Sequence, residues 1–257
     1  MTDDLLAQFV RRQWRLVETE STNTLDLRWC NTPAAEELPA LVLAERQTSG
    51  RGRGENRWWS GTGAILGSLI VEPRAFGIPK ERWPTLSLSV GSAIAAALET
   101  LVPLGQVRLK WPNDVFADGR KAAGVLIEIP PEAPQRMVIG IGINLNNRLD
   151  DAPPDLRARA VALCELSGRA FDRETVLAGV VRQLLTDFEL LGRGDPQLRD
   201  RWRRQCLLTG RSIVIADNGR TTAGTCLGID DDGALRVQTD RAIERHFSGH
   251  VGDWSAE

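Results

Sequence analysis

Ala64-Ile-Leu-Gly-Ser-Leu-Ile-Val71 is the run that most limits how this chain can fold. It is nearly all apolar and does not alternate, which is the pattern of a central strand buried on both faces. A second apolar run, Leu41-Val-Leu-Ala44, lies upstream, and Glu45 to Ser60 connects the two. In that connection Gly50, Gly52 and Gly54 alternate with Arg51 and Arg53, and Trp58 and Trp59 follow Arg57. Glycines let the main chain approach a ligand closely and adopt positive φ. Arginines bring fixed charge and forked donors suited to carboxylate or phosphate. Two readings fit the composition: a solvated basic turn, or a loop that closes over a small anion. RNA-binding Arg-Gly tails sit in low-complexity sequence, whereas this loop is set between two strand-like runs.

A chain of 257 residues fits one large domain, or one with a small companion. It can bury about 70–75% of its unfolded surface, so it needs no disulfide to fold. A net charge of −2 gives no overall attraction to nucleic acid or anionic membrane, so basic residues matter only where they cluster. Cys30, Cys164, Cys206 and Cys226 are far apart with no CxxC, the expectation for reduced, mostly buried thiols of a cytoplasmic protein. The first residues, Met-Thr-Asp-Asp, carry acids where a secretory signal carries bases. No apolar run approaches the ~20 residues of a membrane span. Residues 1–13 are too few for a helix-turn-helix, so no DNA-reading domain is expected.

Along the chain, Trp14–Glu18 reads as a first strand, and Ser21-Thr22-Asn23 precedes a short helix. Ser21 or Thr22 is either an N-cap or a hydroxyl turned into a pocket, and a helix N-terminus permits both. Residues 39–46 form a second strand, and residues 72–84, with three prolines, form a loop. Apolar residues at helical spacing predict a helix over Thr85–Leu101, and Gly105 ends the connection. The strand from Val107 is broken at Pro112, which places Asn113 and Asp114 at a turn facing a cleft. Asp118-Gly119 predicts a hairpin whose return strand, 120–128, carries Lys121 near its start and a gap at Gly124. Another strand, 136–143, runs into Asn144; Gly140 and Gly142 share one of its faces, which suits a flat ring or sugar. Residues 147–156 read as a mobile surface loop. Asp172 caps an amphipathic helix, and a second helix over 196–207 has a basic exposed side at Arg199, Arg201, Arg203 and Arg204. From Arg211 the pattern changes to short strands with turns at Asn218-Gly219 and Asp232-Gly233, the size of an SH3-like barrel. His246 and His250 have no third ligand nearby, so no metal site is expected.

Five ordered motifs carry a resemblance: Glu20-Ser-Thr-Asn23, Gln47 through Gly50-Arg-Gly-Arg53 to Trp58, Lys110-Trp-Pro-Asn-Asp114, Arg120-Lys-Ala-Ala-Gly124, and Gly140-Ile-Gly-Ile-Asn144. Over residues 14–254 the chain resembles monofunctional biotin protein ligases, those without an N-terminal DNA-binding domain. The resemblance implies an α/β (α+β) fold: a catalytic domain (1–209) with a central mixed sheet flanked by helices, and a small C-terminal SH3-like domain (210–257). It implies that biotin and Mg²⁺-bound ATP form biotinyl-5′-AMP, and that biotin then passes to one lysine of a biotin carboxyl carrier protein. The enzyme itself would be a monomer or homodimer, using neither DNA nor membrane. Biotin contacts are implied for Ser21, Thr22, Asn23, Gln47, Gly50, Arg51, Gly52, Arg53, Lys121 and Gly124. ATP contacts are implied for Arg51, Arg53, Trp58, Lys110, Asn113, Lys121 and Asn144. Lys121 and Arg53 are the expected catalytic cations, and Asp114 the candidate for accepting a proton or orienting the amine. The chain departs from many members where Gly54-Glu55-Asn56 interrupts the basic run after the second Arg-Gly pair. A lipoate-protein ligase using the same adenylate chemistry is the rival enzyme. A nucleic-acid-binding module using the Arg-Gly loop is the rival of another class.

Overall fold

A computed structural model describes residues 5–103, 106–217 and 219–255. The acids at residues 1–4, Gly105 and Asn218 lie outside the described residues. Seven strands form the main sheet: β1 (Arg12–Thr19), β2 (Ala40–Gln47), β3 (Ile65–Val71), β4 (Val107–Lys110), β5 (Asp114–Ala117), β6 (Arg120–Glu128) and β7 (Met137–Ile143). Their order is β1-β2-β3-β7-β6-β5-β4. Only β1 and β2 pair in parallel, so the sheet is mixed. The expectation for 64–71 holds: every residue of β3 is buried. Period-two alternation explains why. Ile65, Leu69 and Val71 join the main core, whereas Ile70 packs in a smaller cluster with Ala40 and Val138, beside Leu27 of the helix α1 (Thr22–Trp29).

The larger core is closed by α2 (Leu86–Glu99) and α5 (Arg173–Arg193), which pack on each other. Ser89, Gly91 and Ser92 keep the buried face of α2 narrow, and the Leu109 side chain approaches Gly91 closely enough that an added Cβ would sit 2.7 Å from it. Asp172 caps α5, accepting the Thr175 amide at 2.8 Å, and Asp195 caps α6 (Pro196–Gln205).

Three sequence readings need correction. Residues 72–84 are not an open loop: Pro73–Phe76 and Lys80–Thr85 are 3-10 turns. The 147–156 segment is packed rather than loose, because Leu149 and Ala152 are buried with Ala160 against Trp59. It leads into two short helices missed in the sequence, α3 (Pro154–Arg159) and α4 (Leu163–Ser167). The arginines of α6 are not a solvated basic face. Arg201 pairs with the fully buried Asp187, while Arg199 and Arg203 pair with Asp231 of the C-terminal region.

That region is a five-stranded antiparallel sheet, β8 (Ser212–Asp217), β9 (Arg220–Ile229), β10 (Leu235–Gln238), β11 (Ile243–His246) and β12 (His250–Ser255), in the order β11-β10-β9-β8-β12. It is joined to the rest by more than the chain. Trp111 Nε1 donates to the Gly233 carbonyl at 3.0 Å, and Lys110 Nζ donates to the Val251 carbonyl at 2.8 Å.

Candidate active site

Parallel β1 and β2 deliver their C-terminal ends side by side, and this places the N-terminus of α1 next to the Gly-Arg loop. The main chain continues the pairing past the strands: Thr48 N donates to Thr19 O and Ser49 N to Glu20 O. Ser21 occupies the N-cap position without a side-chain capping bond. Gln47 does the capping, its Oε1 accepting the Thr22 amide at 2.7 Å and the Thr22 hydroxyl at 3.2 Å. Ser21, Thr22 and Asn23 are all buried at this junction. The N-cap reading of the Ser-Thr pair thus gives way to a contact between two motifs 25 residues apart.

The Gly-Arg loop is ordered by its own backbone. Trp58 N donates to Gly50 O, Gly52 N to Asn56 O, and Gly54 takes a left-handed φ of 65° at the tip. Arg51 forms a two-pronged pair with Glu128, at 3.0 and 2.7 Å, while Asn23 Nδ2 donates to the same carboxylate at 3.1 Å. Arg53 donates to the carbonyl of Gly249, across in the C-terminal sheet. Sequence reasoning missed both partners. Glu128 is visible only as the last residue of an apolar strand, and no local signal marks Gly249.

The glycine face of β7 is covered by the chain's own side chains, not left open for a ring. A Cβ on Gly142 would stand 2.5 Å from the Trp58 indole, and one on Gly140 would stand 1.9 Å from the Asn23 amide oxygen. Gly124 on β6 abuts the same indole and the end of Lys121. The indole nitrogen of Trp58 is buried with no partner. The flat group that the glycines accommodate is therefore Trp58, brought in by the loop.

Lys121 reaches this face because β6 carries a bulge. Val115 pairs with Ala123 but Phe116 pairs with Lys121, leaving Ala122 as the extra residue. A bulge reverses the alternation, so Lys121 and Gly124, which strict period two would put on opposite faces, come together. The ammonium forms an ion pair with Asp114 at 2.6 Å and lies 5.8 Å from the Trp58 ring centre. Asn144 supports this strand end from behind: its amide nitrogen donates to Ala122 O and its side chain to Lys121 O. Asn113 turns back to Val125 O at 2.8 Å and fixes the turn instead of facing a cleft. Lys110 is buried in the seam, its ammonium 4.0 Å from the Trp254 ring centre. Burial, reinforced by the nearby Lys121 and opposed by Asp114, pushes the Lys110 ammonium down to about 8.

The structure thus brings Asn23, Trp58 and Lys121 over the glycines of β6 and β7, ties Arg51 to Asn23 through Glu128, Gln47 to Thr22 and Asp114 to Lys121, and sends Arg53 to the C-terminal sheet, while Asn113 and Asn144 hold strand ends and Lys110 lies in the seam. Among the described residues, no group of three His, Cys, Asp or Glu could hold a metal ion. No described helix is long and apolar enough to cross a membrane.

A mixed seven-stranded sheet with helices, a Gly-Arg loop folded against it and an antiparallel C-terminal sheet define an α/β protein with a separate C-terminal β unit. Comparison with known proteins narrows this class. Residues 17–144 match the Biotin/lipoate A/B protein ligase family, and residues 209–249 match the Biotin protein ligase C terminal domain. A biotin--[acetyl-CoA-carboxylase] ligase of Mycobacterium tuberculosis is 33% identical over 229 residues, covering 86% of this chain and 83% of the relative. The bifunctional ligase/repressor BirA of Bacillus spizizenii is 34% identical over 219 residues, covering 82% of this chain. The match spans 65% of that relative's length. The solved biotin protein ligase of Aquifex aeolicus in complex with biotin and ATP superposes with a TM-score of 0.81 at 26% identity, covering 94% of this chain and 98% of that one. The chain belongs to the biotin protein ligase family.

Proposed function

We propose that the protein is an ATP-dependent ligase that activates biotin as biotinyl-5′-AMP and transfers it to a lysine of a biotin carboxyl carrier protein. The observation that carries this is that the loop bearing Arg51 and Arg53 lays Trp58 on the glycine face of β7 beside Lys121 of β6. The first step joins a carboxylate to a phosphate, two anions that repel, and preorganised cations are what such a step needs. A biotin carboxylate oxygen attacks the α-phosphorus, the bond to the bridging oxygen breaks, and pyrophosphate leaves. Mg²⁺ supplies further neutralisation of the phosphates; it characteristically binds through phosphates, waters and one or two carboxylates. With Asp114 held by Lys121, Mg²⁺ would be bound by the phosphates and water.

In this reading the biotin head is held by Ser21, Thr22, Asn23 and Gln47, whose hydroxyls and amides match a ureido group with two donors and one acceptor. Gly50, Arg51, Gly52, Arg53, Lys121 and Gly124 surround the rest of biotin. Trp58 offers the adenylate a ring to pack on and a free indole N–H. Lys110, Asn113 and Asn144 complete the nucleotide end, partly by holding the strand ends in place. The unit that carries this site is residues 1–209, with 210–257 as the companion domain, working in the cytoplasm.

In the second step the acceptor amine attacks the acyl carbon and AMP leaves. A free lysine with pKa about 10.4 carries a cost of roughly 4.6 kcal/mol to be neutral at pH 7. Lys121, Arg53 and Lys110 lower that cost by repelling an ammonium. Asp114 is committed to Lys121 at 2.6 Å, so it acts by orienting that cation, and the amine proton passes to water. Asp114→Asn should therefore lose adenylate formation as well as transfer. Intact adenylation with lost transfer would make Asp114 the base instead. The function itself is tested by incubating the protein with biotin, Mg-ATP and a carrier domain and measuring a one-biotinyl mass increase on the carrier. Substituting lipoate for biotin in calorimetry separates the lipoate rival, which the matched biotin-type C-terminal domain disfavours.

A further inference from the structure

We propose that His250, on the C-terminal domain, contacts the polyphosphate of the nucleotide and takes up a proton when it binds; this rests on the adenylation reading above. The geometry comes from the two residues that flank it. The Gly249 carbonyl accepts a hydrogen bond from Arg53, and the Val251 carbonyl accepts one from Lys110. Alternation along β12 buries Val251 and leaves the His250 side chain exposed. Two cations of the catalytic domain therefore hold the main chain on either side of this imidazole.

The charged groups around it come from four elements of the catalytic domain. Lys110 on β4, Arg53 in the loop and Lys121 on β6 oppose its protonation, and only Asp114 on β5 favours it. Partial burial is the largest influence and acts in the same direction as the cations, so the imidazole lies below its ordinary value. On the neighbouring strand its partner is Ala216, which carries no charge, and the next residue, Asp217, is engaged by the Ser248 hydroxyl. His246 lies on β11, at the far end of the strand order from β12, and does not pair with it.

Arg53 and Lys121, with Lys110 buried behind them and one carboxylate opposed, give this region a positive field suited to a multiply charged anion. They also argue against His250 as the base of the transfer step, because an imidazolium left among cations is disfavoured. A polyphosphate reverses the local field. The imidazole then gains its proton and donates a charge-assisted hydrogen bond to a phosphate oxygen. An acceptor lysine offers no such reversal. The nucleotide would thus be held from both domains at once, with its polyphosphate beneath the start of β12.

Calorimetry of a non-hydrolysable ATP analogue with Mg²⁺ and biotin, in buffers of different ionisation enthalpy at pH 7, tests this. The wild type should take up a fraction of a proton and bind the analogue more weakly as pH rises from 6 to 8. His250→Gln should cut the uptake and the pH dependence below pH 7, leaving only the part near pH 8 that belongs to Lys110, and weaken the analogue about tenfold. Its biotin affinity and its transfer from preformed biotinyl-5′-AMP should be unchanged. His250→Lys, a permanent cation, should restore affinity without the pH dependence below pH 7, a rescue that a purely structural role does not produce. Proton uptake and affinity in His250→Gln equal to wild type would overturn the inference, as would lost transfer from preformed adenylate with nucleotide binding intact. A wild type that binds neither biotin nor nucleotide would overturn the ligase reading itself.

Discussion

Gly140→Ala adds one methyl group at the point where α1, β6 and β7 meet. Its Cβ would stand 1.9 Å from Asn23 Oδ1 and 2.8 Å from Cγ, where a carbon–oxygen contact needs about 3.3 Å. Asn23 is anchored through its Nδ2 to the Leu126 carbonyl at 3.2 Å and the Glu128 carboxylate at 3.1 Å, and retreat breaks both bonds. One is neutral and one charge-assisted, so the expected loss is about 2–4 kcal/mol. In an Asn23→Ala background the obstruction is gone and the added methyl should cost little. Urea unfolding of the four proteins of this double-mutant cycle should therefore show a coupling of about 2–3 kcal/mol. Biotin affinity, measured on the same set, should fall in Gly140→Ala about as far as in Asn23→Ala. Costs that add to within about 0.5 kcal/mol would refute the reasoning, because they would mean that the Asn23 amide is not what limits the glycine.

Asp26 is buried under α1 with the Ser68 hydroxyl at 2.6 Å, and desolvation raises its carboxyl to about 8. The folded state then holds a proton that the unfolded state, near 3.8, releases. Its stabilising contribution is full below about pH 4 and is lost as pH rises towards 8. Asp26→Asn should flatten that decline, seen as urea midpoints at pH 5 and pH 8 that differ less than those of the wild type. Arg53→Gly removes the loop's hold on Gly249 and should let biotinyl-5′-AMP escape, labelling unrelated lysines; mass spectrometry of a bystander protein reads this, and retained selectivity would remove the case for a gating loop.

What the sequence made legible was local. The unbroken apolar run of β3, the Asp118-Gly119 hairpin with φ of 48° and 73°, and the Asp172 cap each follow from adjacent residues. The cations of the site were legible too, since Arg51, Arg53 and Lys121 stand in motifs of distinctive composition. Their partners were not. Arg51 finds Glu128 77 residues away, and Arg53 finds Gly249 196 residues away. The bulge at Ala122 leaves no mark in an alanine-rich strand, yet it decides which face Lys121 takes. Trp58 read as a nucleotide contact, but its place against Gly142 depends on the loop folding back over the sheet. The 147–156 segment was misread because its charged residues mask two apolar ones, Leu149 and Ala152, that dock on Trp59.

The buried ammonium of Lys110 has a consequence for engineering. Cut away the last fifty residues and it loses the Val251 carbonyl and the Trp254 ring together, while Arg53 loses Gly249 and Trp111 loses Gly233. A trimmed protein leaves that ammonium only Asp114 and the Phe116 ring on its own side, and a chimera grafting on a relative's tail must match that tail to the Lys110-Trp111 dipeptide. Exchange of tails between relatives should therefore succeed only when both sides of the junction travel together.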